Sequence, residues 1–140
     1  MKETKIVAAI DGSDYSDLVL DKTIQYATLL NASVLLVHCH KKFPTLLGEP
    51  HRNEHIAEII SQAEKLVKPY RERLEDVAIT YENRLMEEPA AAMIVDIARL
   101  EDCELIIMGS RGLNNLAGLI IGSVTNQVLQ SAPCPVLVVR

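Results

Sequence analysis

Three segments of this chain are unbroken runs of apolar residues, at positions 6–10, 34–37 and 105–108. A strand covered on only one face alternates apolar and polar residues, so an unbroken run indicates a strand buried on both faces. Such strands occupy the middle of parallel sheets that carry helices on each side. The runs therefore predict three central strands of a parallel α/β sheet.

Two further segments are predicted strands of a less protected kind. Residues 77–82 alternate Val77, Ile79 and Tyr81 with small or polar neighbours, and residues 136–139 form a short apolar run near the last position. Between the strands, apolar residues recur every three or four positions, which is typical of amphipathic helices. The predicted helices span residues 16–30, 56–74, 90–100 and 123–130.

Residues that typically start or end helices agree with these predicted elements. Asn31 is predicted to end the first helix, Pro89 fits the first turn of the third, and Pro133 and Pro135 separate the fourth helix from the last strand. The alternation β-α-β-α-β-α-β-α-β with right-handed crossovers predicts an α/β fold, a doubly wound, Rossmann-like sheet of five parallel strands with helices on both faces. Residues 40–53 are predicted to form a surface loop or lid.

Length and composition exclude several classes of protein. The 140 residues predict one domain over 1–140, and 49% apolar with 24% charged residues is an ordinary globular composition. No apolar run approaches the roughly 20 residues of a membrane span. The net charge of -5 argues against duplex nucleic acid as a partner. A short N-terminal apolar run and three widely spaced cysteines predict a cytoplasmic protein with reduced thiols.

The charge is distributed unevenly along the chain. Residues 105–140 contain no Asp or Glu, and Arg111 and Arg140 are their only charged side chains. Four of the six glycines fall between positions 109 and 122. In doubly wound sheets, ligands bind beyond the carboxyl ends of the strands, and this segment follows the fourth strand. The sequence therefore predicts a site for a small anionic ligand there.

The glycines follow the pattern G-x2-G-x9-G-(S/T), formed by Gly109, Gly112, Gly122 and Ser123. Glycine lets backbone N–H groups approach an anion closely, and Gly122-Ser123 leads into a helix N-terminus with unpaired N–H groups and a positive dipole end. Hydroxyl groups of Ser123 and Thr125 add possible donors. The alternative interpretation, left open by the pattern, is that these glycines serve turns, Gly118 relieves a bend and Ser123 is an ordinary N-cap.

The same pattern is the ATP-binding signature of the universal stress protein family, which this chain resembles over its whole length. The resemblance includes Ile10-Asp11-Gly12-Ser13, Leu36-Val37-His38, Gly109-Ser110-Arg111-Gly112, Gly122-Ser123-Val124-Thr125 and the terminal Cys134-Pro135-Val136-Leu137-Val138-Val139. It implies a strand order of 3-2-1-4-5. It also implies a homodimer through the C-terminal strand, residues 136–139, whose apolar edge would otherwise be uncovered.

Site residues follow from the resemblance position by position. Asp11 is expected to contact the adenosine part of the nucleotide, and Cys39 to line the adenine pocket through its backbone. Ribose and phosphates are expected to be held by Gly109, Arg111, Gly112, Gly122, Ser123, Val124 and Thr125. The resemblance implies ATP as the ligand, with AMP and ADP as alternatives, and Mg²⁺ held through the phosphates.

The chain lacks the G-x-x-x-x-G-K-[ST] motif, and the glycine loop contains no Asp, Glu or His to act as a general base. Tight binding with slow hydrolysis is the expectation. The leading hypothesis is a nucleotide-dependent regulatory or signalling module in the stress response, acting on an unidentified protein partner. The alternatives are a slow Mg-dependent ATPase or nucleotide-converting enzyme, and a scaffold whose nucleotide is only structural.

One competing motif is present. Residues 51–55, with His51, Glu54 and His55, match the H-x-x-E-H pattern of some zinc proteases. The motif follows Pro50 at a predicted loop-to-helix junction, in a chain much smaller than such proteases. Catalytic zinc is therefore not predicted.

Overall fold

The structure is a computed structural model that describes residues 2–112 and 121–140. Its strands are β1 (Lys5–Ala9), β2 (Ser33–His40), β3 (Tyr81–Glu87), β4 (Leu105–Gly109) and β5 (Val136–Val139). Its helices are α1 (Asp14–Leu30), α2 (His51–Asp76), α3 (Ala90–Leu100) and α4 (Ser123–Ser131). Gly118, to which the alternative interpretation assigns a bend, lies outside the described residues.

All strand pairs are parallel, and the sheet order is β3-β2-β1-β4-β5. This confirms the predicted fold class and strand order. The three apolar runs form the central strands β2, β1 and β4, and the two less protected strands form the edges. Two apolar layers cover the sheet: α1 and α2 pack on one face around Leu20 and Val67, and α3 and α4 pack on the other around Ile94 and Val128.

The predicted third strand is wrong in position. Val77 ends α2 and Ala78 adopts a left-handed φ of 57°, so the alternating residues 77–80 form a turn that precedes β3. The Ile79 N–H donates to Leu74 O in this turn. Helix propensity and packing of α2 extend the helix through Asp76, and the strand follows at residues 81–87.

Other boundaries also differ from the predicted ones. Helix α1 begins two residues before the predicted start, α2 begins at His51, and β2 continues to His40, which shortens the predicted loop to residues 41–50. Asn31 ends α1 in the left-handed conformation with φ 52°, as predicted. Pro89 is the extended N-cap of α3 and lies just before its first turn. Within the described ranges, no helix is both long and apolar enough to cross a membrane.

Candidate functional site

A cavity of about 270 Å³ lies beyond the carboxyl ends of the central strands, between the starts of α1, α3 and α4. Its position is the one that the doubly wound topology favours, next to the point where the strand order reverses. The structure brings all nine predicted site residues to the wall of this cavity. They are Asp11, Cys39, Gly109, Arg111, Gly112, Gly122, Ser123, Val124 and Thr125.

The turn from β1 to α1 forms one wall. Ser16, which is 2% exposed, accepts hydrogen bonds from the N–H groups of Asp11 and Gly12 at 3.0 and 3.1 Å. Its hydroxyl lies 3.1 Å from Asp11 Oδ1, which also accepts the N–H of Ser13 at 2.9 Å. Gly12 makes the reversal with φ 84°. These bonds hold the Asp11 carboxylate in one orientation at the end of β1.

Gly112 packs directly against that carboxylate. A Cβ built on Gly112 overlaps Asp11 Oδ2, while Asp11 Oδ1 is fixed by Ser13 and Ser16. Gly109 is also confined, since its Cβ would lie 2.8 Å from the Tyr15 Cβ and 3.1 Å from Arg111 O. Close packing of the protein itself therefore disfavours a side chain at both positions.

Gly122 is different, because a Cβ there would meet only ordinary contacts, at 3.4 Å from Arg111 Cα and 3.5 Å from Ser110 O. It is the N-cap of α4, with an extended backbone of φ -70° and ψ 161°. Its N–H donates to Ser110 O at 2.7 Å, which joins the end of β4 to the start of α4. The protein packing described here supplies no steric reason for glycine at this position.

The start of α4 lines the cavity. Within residues 2–112 and 121–140, no side chain caps this helix, so its first N–H groups, at Ser123 and Val124, have no side-chain partner in these ranges. Thr125 is 3% exposed, and its hydroxyl donates to Gly109 O at 2.7 Å. The Thr125 hydroxyl, expected as a ligand donor, thus ties α4 to β4 instead.

Arg111 contributes a cation to the same end of the cavity. Its guanidinium carbon lies 5.5 Å from the centroid of the Tyr15 ring. This contact orients the guanidinium over Tyr15, while the Arg111 Cα lies next to Gly122, the N-cap of α4. Positive charge, helix N-terminus and glycine-rich backbone therefore meet at one end of the cavity.

The wall of the cavity also includes the end of β2 and apolar side chains. Val37, Ile94 and Met108 contribute apolar surface to it. Burial raises the pKa of the Cys39 thiol to about 11, so this sulfur is a neutral thiol at physiological pH. His38 is 8% exposed, and burial lowers its pKa below the usual range, which leaves a neutral imidazole.

Tyr15, Ser16, His38 and Glu88 also line the cavity, and none of them was a predicted site residue. Glu88 follows β3, so the rule that ligands bind at strand ends identifies it once that strand is placed at residues 81–87. The misplaced strand concealed this signal. Ser16 follows Asp11 by five positions at the start of a helix. A hydroxyl at this spacing can hydrogen-bond to the backbone of the preceding turn.

The H-x-x-E-H residues lie elsewhere, in the first two turns of α2. His51 Nδ1 is 3.8 Å from Glu54 Oε2, and their side chains are 73% and 72% exposed. Across the described part of the chain, no group of three or more His, Cys, Asp and Glu residues is placed to hold a metal ion. This motif is an exposed helix start.

Comparison with known proteins identifies the family. The sequence profile of the universal stress protein family matches residues 3–140. A universal stress protein of Thermus aquaticus, from the 3′ region of a sulfhydrylase gene, is 35% identical over 139 residues, covering 96% of this chain and 97% of that protein.

Two solved structures extend the comparison. Protein MJ0577, whose biochemical function was assigned from its structure, superposes with a TM-score of 0.86 at 29% identity, covering 99% of this chain and 96% of its own. The universal stress protein that carries the name MJ0577 comes from Methanocaldococcus jannaschii. A universal stress protein solved in complex with cAMP has a TM-score of 0.63 at 25% identity, covering 100% of this chain and 98% of its own. The chain belongs to the universal stress protein family.

Proposed function

We propose that this protein binds an adenine nucleotide, ATP foremost, in the cavity beyond β1, β2 and β4, and acts as a nucleotide-dependent regulatory module in the stress response. The observation that carries the proposal is the polarity of the cavity. The wall combines the start of α4 and Arg111 with apolar side chains and with Cys39 at the end of β2.

The α4 end suits phosphate groups. Backbone N–H groups and the positive end of a helix dipole attract anions, and Arg111 adds a full charge that can form charge-assisted hydrogen bonds. Glu88 lies in the wall formed by the β3–α3 connection. Since like charges repel, phosphates favour the start of α4 over the parts of the wall that carry the Glu88 and Asp11 carboxylates, and the nucleoside then extends toward β2.

The β2 end suits a purine base. In parallel pairing, alternate residues of β2 turn their N–H and C=O groups toward β1. Among the described residues, the last backbone bond between the two strands is the one that the Ile10 N–H donates to Val37 O at 3.0 Å. Cys39, two residues later, faces past the end of β1. Its backbone offers a donor and an acceptor side by side, which complements the ring nitrogen and amino group of adenine.

The comparisons support this assignment at the level of the family. A family member with the same fold was solved in complex with cAMP, an adenine nucleotide. The choice of ATP, and of Mg²⁺ held by its phosphates, comes from the glycine motif and the resemblance. The site residues we propose are the nine lining residues given above, with Thr125 contributing its backbone N–H because its hydroxyl is already used.

The test is to denature the purified protein gently, identify any released nucleotide by mass spectrometry, and titrate the stripped protein with ATP and Mg²⁺ by calorimetry. Released or tightly binding ATP supports the site. No nucleotide and no heat at high ATP concentration would mean that the glycine loop is structural. Mg-dependent product formation well above background would favour the slow ATPase over the regulatory module.

We also propose a homodimer through the outer edge of β5. The opposite edge strand, β3, carries Glu82, Arg84 and Glu87, charged residues that discourage strand pairing, whereas β5 is Val136–Val139. Val138→Lys introduces such a charge and is expected to convert a dimer into a monomer in light scattering. Thr80→Lys, just before β3 at the other edge, is the matched control and keeps the dimer mass. An unchanged mass in the Val138→Lys protein would rule out this interface.

A further inference from the structure

His38 makes a buried hydrogen bond that ends the pairing between β1 and β2. Its Nδ1 lies 3.0 Å from Ile10 O, and the side chain is 8% exposed. Because burial lowers the pKa of His38, the ring is neutral at physiological pH and carries a single N–H. A carbonyl oxygen only accepts, so the ring proton resides on Nδ1 and is donated to Ile10.

Ile10 O is also the oxygen that regular pairing would assign to Cys39. With Ala9 opposite Val37 and the Ile10 N–H bonded to Val37 O, the next bond of the ladder joins the Cys39 N–H to Ile10 O. Among the described residues that bond is not formed. The chain turns away after Ile10 through Gly12, with φ 84°, and the imidazole supplies the donor instead.

We propose that His38 is a positioning residue: by satisfying Ile10 O, it leaves the Cys39 N–H turned into the cavity, available to a ring nitrogen of a purine base. The inference rests on the proposed function, since it assigns the base end of the nucleotide site. It adds a residue that acts through a backbone amide and whose side chain need not touch the ligand.

The first experiment measures amide hydrogen exchange in the nucleotide-free protein and so does not depend on ligand binding. The Cys39 amide is expected to exchange at least about tenfold faster than the Val37 amide, which belongs to the central ladder. In His38→Leu, Ile10 O becomes available and the Cys39 amide gains protection. In His38→Asn, whose amide nitrogen occupies the place of Nδ1, Cys39 continues to exchange fast.

Equal protection of Cys39 and Val37 in the wild-type protein overturns the proposal without any variant, and so does unchanged exchange in a folded His38→Leu protein. The ¹⁵N shifts of the His38 ring give a second measurement should that variant fail to fold. They are expected to report a neutral ring protonated at Nδ1. Protonation at Nε2 overturns the hydrogen bond on which the inference depends.

The second experiment compares the affinities of AMP and ribose 5-phosphate. His38→Leu is expected to weaken AMP about tenfold, the usual value of one hydrogen bond, while ribose 5-phosphate is unaffected and His38→Asn binds AMP like the wild type. Equal AMP affinity in all three proteins overturns the inference and leaves the proposed function standing. A wild-type protein that binds neither AMP nor ATP overturns the proposed function and, with it, the role of the Cys39 amide.

Discussion

Two junctions line the cavity, and they differ in the charge that they place there. In the β1–α1 turn, the backbone and carboxylate of Asp11 are bonded to Ser13 and Ser16. The β4–α4 junction lies in a segment without Asp or Glu and contributes Arg111 and the start of α4. The first junction is a hydrogen-bonded acidic wall, whereas the second presents a cation and the backbone N–H groups of a helix start. The difference indicates which side supplies shape and which side supplies binding energy.

The glycines show the same contrast. Gly112 is confined because any side chain would displace Asp11, whereas a Cβ on Gly122 would meet ordinary contacts with the described residues. Packing explains the first glycine. For the second, close approach of a ligand to the backbone is the explanation that we propose. Substitutions on the two sides should therefore separate effects on stability from effects on binding.

Gly122→Val is expected to produce the largest change in ATP binding. Its side chain blocks access to the N–H groups at the start of α4, and losing such bonds to a charged phosphate costs about hundredfold in affinity. The free energy of unfolding should fall by only about 1 kcal/mol, because valine is a poorer N-cap. Calorimetric titration and denaturant unfolding measure the two quantities.

Gly48→Ala is the control for this variant, since a Cβ at Gly48 has no atom within 4 Å. It should change neither affinity nor stability. A Gly122→Val protein that binds ATP like the wild type would refute the assignment of phosphates to α4.

Gly112→Ala should act first on stability. The added methyl group overlaps the fixed Asp11 carboxylate, and overpacking of this kind costs about 1–3 kcal/mol. Weaker nucleotide binding follows from displacement of Asp11. Urea unfolding measures the loss of unfolding free energy. An unchanged midpoint with an unchanged slope would show that the Asp11 carboxylate moves aside at little cost, despite its hydrogen bonds.

Two serine variants compare the junctions directly. Ser16→Ala removes a buried hydroxyl that serves three polar groups and should lower the free energy of unfolding by about 1–3 kcal/mol. Ser123→Ala alters an exposed residue and should leave stability within about 0.5 kcal/mol while weakening ATP a few-fold. Similar losses of stability in both variants would contradict the distinction between wall and donors.

Arg111 is expected to distinguish between two ligands. Arg111→Gln should weaken ATP by about tenfold relative to adenosine, because the guanidinium acts electrostatically on phosphate. Arg111→Lys retains the charge and is the matched control, expected to recover part of the loss. Equal losses for ATP and adenosine would place Arg111 in a structural role beside Tyr15.

Local patterns predicted most of the fold. Unbroken apolar runs identified β1, β2 and β4 because burial on both faces leaves no polar positions. The alternating pattern failed at β3, because Val77 and Ile79 lie at a helix end and in a turn, and only Tyr81 belongs to the strand. Ala78 makes that turn in the left-handed conformation, which alanine rarely adopts, so its residue type does not predict the turn.

The sequence by itself determined the buried strands, the helix phases and the glycine spacing, since these depend on residues close together along the chain. Only the tertiary structure decided that Gly112 packs against the Asp11 carboxylate, that the Thr125 hydroxyl donates to Gly109 O, and that His38 Nδ1 hydrogen-bonds to Ile10 O. Each of these contacts joins different elements, and its distance depends on how the strands are ordered and how each helix is set against the sheet. Periodicity carries no information about such distances.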